Sequence, residues 1–65
     1  MIALMVKHKS EKRFKGFNFK TGTMELNRIY YSIFNDNESN RKFLNEEMEY
    51  MKKMNKDYDF KIMKL

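Results

Sequence analysis

The stretch from residue 36 to residue 54, "DNESNRKFLNEEMEYMKKM", carries the strongest helical pattern in the chain. A lone amphipathic helix has to lay its apolar side on something else. Phe43, Leu44, Met48, Met51 and Met54 form the stripe expected to be buried, while Glu46, Glu49, Lys52 and Lys53 point outward. Glu49 and Lys53 are spaced as an i, i+4 ion pair. Asn35 followed by Glu38 fits a capping box, Asp36 sets negative charge at the positive end of the helix, and Asn55 is the expected left-handed stop.

The remaining segments supply a sheet for that stripe. "IALMVKH", residues 2 to 8, puts Ile2, Leu4 and Val6 on one face and Ala3 and Met5 on the other, the mark of a strand buried on both sides near its start. "KSEK" is a polar turn, and "RFKGFNFK", residues 13 to 20, reads as a second strand beside the first. "KTGT" then makes a hairpin loop with Gly22 in the left-handed conformation that glycine adopts at least cost. After the helix, "YDFKIMK" alternates, with Tyr58, Phe60 and Ile62 on one face.

Residues 24 to 34, "MELNRIYYSIF", give two conflicting signals. Leu26, Ile29, Tyr30, Ile33 and Phe34 match helical spacing, but Ile-Tyr-Tyr-Ser-Ile-Phe is a run of strand formers behind a hairpin turn. A third strand is the expectation, with Ile29, Tyr31 and Ile33 on one side and Tyr30 and Phe34 on the other. The fold class that follows is α+β: a small antiparallel sheet in the order β-β-β-α-β, with one helix packed across it.

Sixty-five residues allow a single domain, 1–65, which buries only about 60% of its unfolded surface. The chain has no cysteine, hence no disulfide framework and no thiolate metal site, and this favours a cytoplasmic setting. Self-association, most simply as a dimer, is the natural remaining stabiliser. "MIALMV" is too short for the apolar core of a signal peptide, and no segment approaches the roughly 18 apolar residues of a membrane span.

Charge is unevenly placed. Residues 1 to 22 hold six basic side chains (Lys7, Lys9, Lys12, Arg13, Lys15, Lys20) against Glu11, so the formal +5 of the chain lies in its first third. The later residues balance. A one-sided basic patch attracts phosphate, an anionic ligand or an acidic protein surface, and it also keeps neighbouring strands in solution.

Catalytic chemistry finds little support. His8 is the one histidine, and Ser10 beside it has no orienting carboxylate in evident reach. Glu46 and Glu47 diverge by about 100° on a helix, and Asp57 with Asp59 offers too few oxygens for a hard cation. No enzyme activity, metal or cofactor is expected.

"KGFNF", residues 15 to 19, resembles the core of the RNP1 motif of RNA-recognition motifs and the "KGFGF" of cold-shock domains. The resemblance implies Phe17 and Phe19 as stacking platforms for unpaired bases, with Arg13, Lys15 and Lys20 on phosphate. It covers five residues. Lys20 and Gly22 stand where RNP1 continues with valine and an aromatic, and the strand order and the helix fit neither family. In its methionine, lysine, asparagine and isoleucine content the chain resembles, in style only, the short accessory proteins of phages and prophages of low-G+C bacteria.

Two functions are therefore expected to compete. One is an interaction protein that binds and blocks or redirects a host defence or replication protein through Tyr30, Tyr31, Phe34, Met48 and Met51. The alternative is a single-stranded nucleic-acid binder using Arg13, Lys15, Phe17, Phe19 and Lys20.

Overall fold

In the computed structural model, which describes residues 1–65, the apolar opening forms an interior strand. β1 (Ile2–His8) pairs along its whole length with β4 (Tyr58–Lys64), from Ile2 opposite Lys64 to His8 opposite Tyr58. On its other side it pairs with β2 (Lys15–Asn18), through Met5 opposite Gly16 and Val6 opposite Lys15. β2 in turn pairs with β3 (Thr23–Glu25), giving an antiparallel sheet in the order β3-β2-β1-β4. The helix α1 (Glu38–Met54) packs on one face, so the architecture is the expected β-β-β-α-β.

Burial follows from position. With a neighbour on each edge and cover on both faces, Ile2 through Val6 are all buried. Ile2, Leu4 and Val6 face the helix and meet Leu44, with Phe17, Phe19, Phe34, Met48, Met51, Tyr58, Phe60 and Ile62 packed around them. Ala3 and Met5 are buried on the opposite face. Gly22 closes the β2–β3 turn at φ +70°, in the left-handed region as expected.

Residues 24 to 34 do not form a continuous strand. β3 stops at Glu25, and Arg28–Tyr30 makes a single 3₁₀ turn. Asn27 is the cause: its side-chain oxygen accepts from the Ile29 N–H at 3.1 Å, which offers the backbone a local partner in place of a ladder. The chain then returns extended and enters the sheet, because β2 diverges from β1 beyond Gly16. Ser32 N–H donates to the Phe17 carbonyl (3.0 Å), the Ser32 hydroxyl accepts from the Phe19 N–H (2.8 Å), and Phe34 exchanges both backbone bonds with Ile2 (2.8 and 2.9 Å). Residues 32 to 34 thus fill the gap between two strands.

The helix ends also differ from expectation. Asn37, not Asn35, is the N-cap, accepting from the Asn40 N–H at 2.8 Å, while the Asn35 carbonyl accepts from the Asn40 side chain at 2.9 Å. Asp36 is taken up by Arg41 through two hydrogen bonds, with Lys64 3.8 Å away. Asn55 stops the helix with φ −135° and ψ 74°, outside the left-handed region, and its side chain donates to the Met51 carbonyl. Glu49 pairs with Lys52 at 4.0 Å instead of Lys53. The buried stripe is narrower than expected, since Phe43 is 40% and Met54 66% exposed.

Candidate functional site

The hairpin tip and the 3₁₀ turn together border a groove of about 510 Å³, built from Asn18, Phe19 and Lys20 on one side and residues 29 to 34 on the other. Its banks are held locally. Asn18 accepts from the backbone N–H groups of Lys20 (2.8 Å) and Thr21 (3.2 Å), so the end of β2 is pinned by its own side chain. Opposite, the turn is closed by Tyr30 N–H to the Asn27 carbonyl and Tyr31 N–H to the Arg28 carbonyl.

The turn divides its side chains between two directions. Tyr31 lies against Gly16 on the sheet face away from the helix, so closely that a Cβ at position 16 would overlap its ring. Its hydroxyl donates to the Leu26 carbonyl at 3.2 Å, bracing the bend. Leu26 (58% exposed), Ile29 (76%) and Tyr30 (54%) project into solvent. Three large apolar side chains within five residues of a hydrogen-bonded bend are thus left without cover.

The groove draws on both sets of sequence-predicted residues. Tyr30, Tyr31 and Phe34 from the partner-binding set line it together with Phe19 and Lys20 from the nucleic-acid set. Met48 and Met51 are not part of it. Both are half-buried against the core, and Met51 lines a separate recess of about 290 Å³ with Val6, Phe17 and Met24. Phe34 is half-buried too, edge-on to Phe19 at 5.8 Å. Leu26 and Ile29 were outside the predicted set, and Asn27 between them, a residue that favours bends over strands, was the signal that would have located them.

The nucleic-acid constellation does not assemble as an open face. Phe17 and Phe19 meet edge-to-face at 4.8 Å beneath the helix, and Phe19 also touches Phe43 at 5.5 Å. The two rings are turned edge to face and lean on the core instead of lying side by side on one open sheet face. Lys15 is paired with Glu11 at 3.2 Å. The Glu11 carboxyl is held below its ordinary range, first by the His8 backbone N–H and then by the Lys15 ammonium. Arg13 and Lys20 are exposed.

On the far face of the sheet Lys7 and Lys61 stand over the Phe14 ring, at 5.6 and 4.3 Å from its centroid, and Lys7 also binds Asp59 at 3.1 Å. His8 packs edge-on against Tyr58 at 5.1 Å; its Nδ1 accepts from the Ser10 N–H (3.1 Å) and lies 2.6 Å from the Ser10 hydroxyl. Both partners sit within one exposed turn, so the contact stabilises that turn. No three His, Cys, Asp or Glu side chains converge as a metal site, and no helix is long and apolar enough to cross a membrane.

No family model matches the chain, and comparison with curated proteins and with solved structures finds no match.

Proposed function

We propose that the chain is a small, non-enzymatic accessory protein that works by binding another protein through Leu26, Ile29, Tyr30 and the adjoining groove. The observation that carries this reading is the trio of exposed apolar side chains on a braced bend. A rigid platform loses little entropy when it is covered, and tyrosine is among the residues that dominate interface energies, with Leu26 and Ile29 adding apolar area around it. The groove next to it, floored by Phe19 and Phe34 and edged by Lys20, accepts an apolar side chain flanked by an acidic one. Its stylistic likeness to phage accessory proteins makes a host defence or replication protein the class of target, with blocking or redirection as the outcome.

The test is capture from bacterial lysate by tagged wild-type protein and by Ile29→Asp and Tyr30→Ala variants, each with and without nuclease. A defined protein kept after nuclease and lost with both variants, whose melting temperatures match wild type, is the expected result. Equal capture by the variants would move the site elsewhere. Material that disappears with nuclease would favour the nucleic-acid reading, which otherwise rests on Arg13 and Lys20 alone.

A further inference from the structure

The sheet has two edges, and they are unequal. β3 presents three residues, whereas β4 presents seven, with no proline and no partner on its outer side. The pairing pattern fixes which backbone groups that outer side offers. Lys9 N–H donates to the Asp57 carbonyl and Leu65 N–H to the Met1 carbonyl, so the odd-numbered residues of this segment bond inward to β1. Phe60, Ile62 and Lys64 therefore direct their N–H groups outward, and Tyr58, Phe60, Ile62 and Lys64 their carbonyls. Tyr58 N–H is engaged by the Asn55 carbonyl at 3.2 Å.

We propose that this edge pairs with the β4 edge of a second copy of the chain, antiparallel about a two-fold axis at Phe60. The charges on the face away from the helix select that arrangement. Matching outward groups to outward groups, with at least five residues paired, leaves three registers. Centred on Lys61, the two lysines oppose each other directly. Centred on Ile62, Lys61 faces Met63 and gains no partner. Centred on Phe60, Asp59 of each chain stands opposite Lys61 of the other, twice by symmetry.

The helix-side residues agree with this register. Phe60 meets its own copy at the axis and Tyr58 meets Ile62, so half-buried aromatic and aliphatic side chains continue the core across the junction. Asp59 has room for the contact, since Lys7 occupies only one of its oxygens. A lysine on an edge usually repels a neighbouring strand; here Asp59, two residues earlier, cancels that repulsion for one partner, the same strand run backwards. The dimer is an eight-stranded sheet with both helices on one face. The 3₁₀ turn and its groove lie toward the opposite edge of each sheet and stay open, so the proposal stands independently of what the groove binds.

Sedimentation equilibrium with amide exchange tests it. Wild type is expected at twice the 8.1 kDa chain mass, with the Phe60 and Ile62 amides slow to exchange. Lys61→Glu sets two carboxylates against each other at both contacts and is expected to weaken association about tenfold and free those amides, with an unchanged circular dichroism spectrum. Should Lys61→Glu lose its fold, Asp59→Asn replaces it and is expected to shift the equilibrium in the same direction. A single-chain mass for wild type at every concentration would overturn the proposal. So would a dimer whose Phe60 and Ile62 amides exchange freely, or one that folded variants leave intact.

Discussion

Tyr31 and Gly16 define how tightly the residues of this chain fit. Glycine in a strand weakens it and is kept where something approaches the backbone closely; here that something is the Tyr31 ring. Gly16→Ala places a methyl group where the ring lies, and the ring cannot yield without moving the bend that Tyr31 braces through its hydroxyl. The expected cost is about 1–3 kcal/mol, read as a lower denaturation midpoint, and Gly16→Ala combined with Tyr31→Ala should recover part of it. Tyr31 was expected at a binding surface, and the sequence contained a hint of its packing role only in the glycine, fifteen positions earlier. A lone glycine cannot announce what lies on it.

At the scale of elements, the helix was legible because its stripe repeats over several turns, whereas its ends depended on which asparagine used its side chain. Asn35 and Asn37 both favour an N-cap by chemistry, and Asn37 takes the role by accepting from the Asn40 N–H while Asn35 offers only its carbonyl to the Asn40 side chain. Asp36 shows the consequence. The Arg41 guanidinium hydrogen bonds, with Lys64 nearby, hold its carboxyl below the 3.8 of an unperturbed aspartate. A carboxyl depressed in the folded state contributes stability that is full above its unfolded value and is lost as pH falls through the folded one. The contribution of Asp36 is therefore expected to be intact above about pH 5 and to fade below pH 4, so that Asp36→Asn flattens the acid limb of melting temperature against pH and leaves its upper limb parallel to wild type. The third strand misled for a related reason: residues 29 to 34 have strand propensity, but the Asn27 side chain bends the chain before any ladder forms.

For the molecule as a whole, the alternation of residues 2 to 6 and 58 to 62 gave away the faces of the sheet, and the order of elements gave away its class. The groove was less accessible to sequence reasoning, because it joins the end of β2 to a bend more than ten residues later, and no local pattern encodes that meeting. β1 is the strand on which everything converges: β2, residue 34 and β4 all bond to it. Seven of its residue pairs are supplied by the segment from Tyr58 to Lys64, fifty or more residues downstream. A chain ending at residue 57 is expected to remain unfolded by circular dichroism and to aggregate on concentration, since its "IALMV" would have an open flank.

That arrangement has a consequence for synthesis. Among the elements of this fold the most apolar strand leaves the ribosome ahead of the others and its longest partner follows after all of them, so until then it is a sticky strand in search of an edge. Folding has to wait for β4 to emerge. The basic side chains from Lys7 to Lys20 leave the ribosome directly behind that strand, and charge beside an apolar strand opposes its pairing with a like-charged copy.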